Sequence, residues 1–189
     1  MHILHVCTGR ARQADFGGRQ ELTAIAKSAV RGPVVVTALG LAGDEQADLA
    51  RHGGLSKAVY AYPSEHLAFW QTVRAQAQAA HWDEPIAPGM LGENLLLQGV
   101  LERELWIGDR LHLGGCVLAV SAPRLPCHKF SAAMGFAQAA KLMLQSGYCG
   151  AYLAVLQPGT VQAGEPFTLQ PGPREVNLGE LFRARSGQR

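Results

Sequence analysis

With 189 residues, 48% of them apolar and 17% charged, the chain has the composition of a soluble globular protein long enough to bury a sizeable core. A formal net charge of +2 gives no overall case for a nucleic-acid or membrane partner. No apolar run approaches the roughly 18 residues needed to span a bilayer. Arginines outnumber lysines 13 to 4, a bias that suits phosphate and carboxylate recognition or reflects GC-rich coding. Cys7, Cys116, Cys127 and Cys149 form no C-x-x-C pair, which disfavours a zinc site or a redox dithiol. The start "MHILHVCTGRAR" lacks the basic region and long apolar run of a signal peptide, so a reduced, cytoplasmic protein is the expectation.

In chain order, Ile3 to Cys7, Thr23 to Val30, Val34 to Leu39 and Ala58 to Tyr62 read as strands. A helix begins near "YPSEHLAFW", with Pro63 at its first position and Glu65 in its first turn. Strands follow at Asn94 to Leu97, Arg110 to Leu113 and Cys116 to Ser121. Phe136, Ala139, Ala140, Met143 and Leu144 form the apolar stripe of a second helix, stopped by Gly147. Ala151 to Leu156 and Pro166 to Leu169 are further strands, and a short helix closes the chain at Leu178 to Arg185. Short strands separated by turn signals such as "RGP", "LGG", "QPGT" and "QAGE" predict a mainly β protein. The expected architecture is a closed β-barrel with two or three helices packed outside it, in one domain over residues 1–189.

The stretch "SAPRLPCHKF" departs from this structural pattern. Pro123 and Pro126 stiffen the connection, and Arg124, His128 and Lys129 surround Cys127 with positive charge. Such neighbours favour the thiolate, which is both a nucleophile and a soft metal ligand. The blander reading is a buried, inert thiol, as expected for Cys7, Cys116 and Cys149. His66 and His112 read as helix and strand residues rather than ligands.

Two further segments carry chemistry. In "GDEQADLARHGGLSKAVYAY", His52, Gly53, Gly54 and Lys57 read either as an anion nest with added charge or as a plain Gly-Gly turn before a strand. In "PGMLGENLLLQG", Glu93 and Asn94 either read a heterocycle edge or cap a turn.

Taken together and in order, HGG…K, GEN and S-x-P-R-x-P-C-x-K resemble the MOSC domain, the family named after the carboxy-terminal domain of molybdenum cofactor sulfurases. The likeness is to stand-alone bacterial members associated with resistance to N-hydroxylaminopurine, and it covers about residues 23–169. It implies a barrel like that of pyruvate kinase, binding the molybdenum cofactor (molybdopterin), a pterin with a dithiolene and a phosphate. It makes Cys127 the protein ligand to molybdenum, with Arg124 and Lys129 accepting the anionic cofactor and Glu93 accepting from the pterin edge. Close relatives carry a helical carboxy-terminal extension that the resemblance does not find here, which leaves dimerisation open.

The function implied is reduction of N-hydroxylated small molecules to amines or amidines. The chain has no cluster or flavin motif of its own, so the expected partner is a separate flavoprotein or other electron donor, with no nucleic acid and no membrane. Two other functions compete. One is a carrier or sulfur-transfer protein using a Cys127 persulfide. The other is a cysteine hydrolase pairing Cys127 with His52 or His128, for which no Asn or Asp orienter can be assigned.

Overall fold

The computed structural model describes residues 1–49 and 52–187, in which short apolar and β-branched segments pair into one large sheet and two small ones. The strands are β1 (His2–Thr8), β2 (Arg12–Asp15), β3 (Gln20–Thr23), β4 (Ser28–Ala29), β5 (Val34–Thr37), β6 (Gly40–Leu41) and β7 (Val59–Pro63). They continue as β8 (Leu95–Gln98), β9 (Arg110–Leu113), β10 (Cys116–Pro123), β11 (Ala151–Gln157), β12 (Gly159–Val161) and β13 (Phe167–Gln170). The large sheet has the order β13-β9-β10-β11-β7-β8-β1-β4, with β12-β5-β6 and the β2–β3 hairpin as the small sheets. Among the large sheet's ladders only β7 with β8 is parallel. A parallel pair needs a crossover, and residues 64–94 supply it.

The central strands are apolar on both faces because both faces are covered. Val59 and Ala61 of β7, Leu95 and Leu97 of β8, and Leu153 of β11 point into the core inside the curl. Their neighbours Tyr60, Tyr62, Leu96 and Tyr152 point outward into a second core beneath the helices. There α1 (Leu67–Gln76), α2 (His128–Met134) and α3 (Ala139–Ser146) bury Trp70, Phe130, Met134 and Met143. At the chain's end, α4 (Leu178–Ser186) begins at Asn177, whose side chain accepts from the amides of Gly179 and Glu180. No helix among the described residues is long and apolar enough to cross a membrane.

Several expectations need correction. The closed barrel is instead a curled sheet, a half-barrel whose ladder ends at β13 and β4. The first residues of the chain reach residues 164–167 through one bridge, His2 to Pro166, and three backbone bonds: the Ile3 amide to the Glu165 carbonyl at 2.9 Å, the Gly164 amide to the Ile3 carbonyl at 2.7 Å, and the Phe167 amide to the Met1 carbonyl at 3.1 Å. The last residues of β1 pair with β4 instead, beyond a bulge between Ile3 and His5. With β1's edge divided in this way, the ladder does not run on.

The strand predicted over Thr23 to Val30 is broken, because Ala24 to Lys27 leave the ladder between β3 and β4. Pro63 does not start a helix. It ends β7 in extended conformation, paired with Leu97, and α1 follows a 3-10 turn at Ser64–His66. The stiff connection around Cys127 also runs directly into α2, and Gly135 in the left-handed region separates α2 from α3.

Candidate functional site

The outward face of the sheet, near the ends of β7 and β11, meets the loops after β3 and β6 and the start of α2. Between them lies a cleft of about 640 Å3, part of it open solvent. Thr23, Ala24, Ile25 and Lys27 form one wall, and residues 44–48 another. His52, Lys57, Ala58, Tyr60, Gly92, Asn94, Arg124, Cys127, Lys129 and Tyr152 complete it. Six residues chosen from sequence therefore share this cleft: His52, Lys57, Asn94, Arg124, Cys127 and Lys129.

The polar network beside Lys27 is built from buried groups that satisfy one another. Lys27 Nζ lies 2.5 Å from Asp44, which also accepts from the Gly9 amide at 2.8 Å and from Asn94 Nδ2 at 2.9 Å. Asn94 Oδ1 in turn accepts from the Tyr60 amide at 3.0 Å. Burial lowers the Lys27 pKa, and Asp44 pulls it back up. Asn94 is thereby committed to holding β1, β7 and the Asp44 loop together.

Arg124 leaves β10 and turns inward, with 4% of its surface exposed. It donates to the Leu91 carbonyl and stacks over Tyr60 at 4.7 Å and Phe130 at 5.2 Å. No carboxylate contacts it among the described residues. Cys127 caps the start of α2 in extended conformation and is half-buried, whereas Cys7, Cys116 and Cys149 are buried.

The expected ring of free positive charge around Cys127 is only partly present. His128 and Lys129 both pair with Glu21 of β3, at 3.0 and 3.2 Å, and Lys129 also donates to the Leu22 carbonyl at 2.7 Å. The Glu21 carboxyl is held below its usual range chiefly by the Lys129 hydrogen bond. Of the three cations, Arg124 alone has no such pairing.

Two expectations about the other segments change as well. His52 Nδ1 lies 2.9 Å from the Tyr152 hydroxyl, and burial with help from Arg124 pushes the histidine's pKa down to about 4. At neutral pH it is an uncharged hydrogen-bonding group and adds no positive charge. Gly53 and Gly54 do not line the cleft, and the Gly54 amide donates to Gln46 Oε1 at 2.7 Å. A Cβ on Gly53 would stand 2.5 Å from that same oxygen, so the pair is a close-packed turn rather than an open anion nest. Glu93 is fully buried behind the cleft and does not line it.

Sequence reading missed Lys27, Asp44, Tyr60 and Tyr152. Lys27 left a signal as the lone charge in the apolar run from Thr23 to Val30. The alternation of β7 also puts Tyr60 on the face opposite Val59.

The MOSC domain matches residues 48–168, a span that contains His52, Tyr60, Asn94, Arg124, Cys127 and Tyr152. The chain belongs to the MOSC family. Protein YiiM of Escherichia coli is 36% identical over 159 residues, which cover 84% of this chain and 68% of that protein. YflK of Bacillus subtilis is 34% identical over 162 residues, covering 86% of this chain and 70% of its own. A longer protein of Gibberella moniliformis named a reductase is 33% identical and covers 97% of this MOSC chain, but only 32% of its own length is matched. The crystal structure of YiiM from Geobacillus stearothermophilus superposes with a TM-score of 0.77 at 27% identity, covering 98% of this chain and 83% of that one.

Proposed function

We propose that this MOSC protein binds the molybdenum cofactor in the cleft and reduces N-hydroxylated bases or amidoximes, using electrons from a separate reductase. The observation that carries the reading is Cys127, a half-buried thiol sharing one cleft with Arg124, Lys57 and Lys129. Among the described residues no group of three or more His, Cys, Asp or Glu side chains is placed to hold a metal ion. A metal at this site must bring most of its ligands with it. A dithiolene-bound metal would meet that condition, and Cys127 would be its soft protein donor. Arg124, Lys57 and Lys129 suit the anionic parts of the same cofactor. The family's association with that cofactor and the reductase name of one relative support the reading.

When bound, the cofactor supplies a two-electron redox centre. The overall reaction is R–NH–OH + 2 e− + 2 H+ → R–NH2 + H2O, so one proton must reach the departing oxygen and the other the nitrogen it leaves. Burial raises the Tyr152 pKa, which keeps its hydroxyl protonated, and His52 lies within hydrogen-bond distance of it. Tyr152 donates the proton, and His52 orients the hydroxyl. Pro126 and the first turn of α2 hold Cys127 in place.

The test begins with metal analysis of protein made in cofactor-producing cells. Wild type should retain molybdenum and reduce an amidoxime with a low-potential chemical reductant or a flavoprotein reductase, but not with NADH alone. Cys127→Ser should lose both the metal and the activity. Wild type that retains molybdenum and reduces no N-hydroxylated compound is a carrier or a sulfur-transfer protein using a Cys127 persulfide. Wild type that retains no molybdenum overturns the cofactor reading.

A further inference from the structure

We infer that Glu93 is a proton-carrying positioning residue. Its buried carboxyl holds the turn that seats Arg124, and its protonation decides whether that guanidinium stands uncompensated before an anion in the cleft. Glu93 Oε1 accepts from the Gly89 amide at 2.5 Å, while Oε2 is buried and meets no hydrogen-bond partner among the described residues. The turn closes with the Gly92 amide on the Gly89 carbonyl at 3.0 Å, and its Leu91 carbonyl takes the Arg124 hydrogen bond. Gly92 closes the turn at φ +87°, a conformation that L side chains rarely adopt, and a Cβ there would stand 3.1 Å from Ile25 Cγ1. The Gly89 carbonyl also accepts from the Lys27 amide at 3.3 Å. One turn thus touches the backbone beside one cation and the side chain of another.

The charged and titratable groups around Glu93 come from five segments. Lys27, before β4, is paired with Asp44, after β6. Cys7 of β1 is pushed up to about 12 by burial and stays a thiol, and burial likewise keeps Tyr60 of β7 neutral. Arg124 remains as the uncompensated charge. A buried carboxylate with a bare oxygen is far costlier than the neutral acid. Burial accordingly raises the Glu93 pKa to about 7, against the pull of the Gly89 amide, its own amide, Arg124 and the Leu91 amide. Below that pH the neutral acid leaves Arg124 free to attract an anion. Above it, ionised Glu93 offsets Arg124 and repels the anion. By linkage, an anion entering the cleft raises the Glu93 pKa, and the protein takes up protons.

The inference rests on the cleft being a site for an anionic cofactor, but its test needs no molybdenum. Sulfate is titrated calorimetrically into the purified protein at about pH 6 and about pH 8.5, and near pH 7 in two buffers of different ionisation enthalpy. Wild type should bind sulfate roughly three- to tenfold more weakly at the higher pH, as expected for one unit charge acting through an effective dielectric near 20 or above. Near pH 7 its binding should take up protons. Glu93→Gln keeps an oxygen for the Gly89 amide, so it should bind equally at both pH values and take up none. A flat wild-type profile, binding without proton uptake or no sulfate binding overturns the inference. So does a wild-type slope retained in Glu93→Gln, which would assign the linkage to another group. A protein that passes but never retains molybdenum keeps this inference and loses the cofactor reading.

Discussion

Cys127 is half-buried at the start of α2, and its side chain caps no amide. Cys127→Ser should therefore change folding stability by no more than about 1–2 kcal/mol, measured by denaturant unfolding of the metal-free protein. His52 and Glu93 supply a second expectation through the pH dependence of stability. His52 is depressed from 6.5 to about 4, so its contribution is present above pH 6.5 and is lost as pH falls through 4. Glu93 is raised from 4.5 to about 7, so its contribution is present below pH 4.5 and is lost as pH rises through 7. Between about pH 4.5 and 6.5 the two slopes oppose each other. Equilibrium unfolding across this range should show stability rising more steeply with pH in Glu93→Gln than in wild type, and rising less or falling in His52→Gln. Parallel profiles in all three proteins would contradict both assignments. Cys127 was legible because prolines and cations around a thiol have few purely structural uses. The roles of Glu93 and Gly54 were not, since which atom faces the cleft depends on Gly89 and Gln46, remote partners that spacing does not reveal.

Among the elements, the β2–β3 hairpin is the least integrated, because its ladder joins only its own two strands. It reaches α2 through Glu21 with His128 and Lys129, and through Phe16, which lies edge-on to His128 at 5.5 Å. Its base continues into Thr23, Ala24 and Ile25, a wall of the cleft. Glu21→Gln should weaken this latch and speed alkylation of Cys127 by a neutral thiol reagent, with thermal unfolding almost unchanged. An unaltered alkylation rate would mean that the Glu21 pairs do not latch the hairpin over the cleft. This clasp was hidden in the sequence, where Thr23 to Val30 reads as one strand. The apolar run is real, but Ala24 to Lys27 spend it on the cleft wall and on the buried Lys27–Asp44 pair. The stripe from Phe136 to Leu144 was read more faithfully, because amphipathic spacing needs only local partners. Gly147 likewise ends α3 in the left-handed region, with its amide on the Met143 carbonyl.

For the whole molecule, β10 and β11 share the longest ladder, and β7 lies beside them with both faces buried. Native-state hydrogen exchange should find the slowest amides in these three strands and the fastest in the β2–β3 hairpin. Slow exchange throughout the hairpin would show that it unfolds together with the sheet. The mainly β architecture was legible from short strands and Gly turns, whereas the failure to close depends on how β1 divides its edge between two neighbours. The cleft draws on the same long-range order. Tyr60 and Asn94 are 34 residues apart, Cys7 and Asn94 87, His52 and Tyr152 100, and Glu21 and His128 107. Each closure costs loop entropy before its contacts can form. A chain emerging from the ribosome can pair β9 with β10 early, but Cys127 gains its surroundings only once β11 has docked. The cleft is thus complete only with β11 in place, and whatever the thiol is to hold meets its full surroundings only in the assembled sheet.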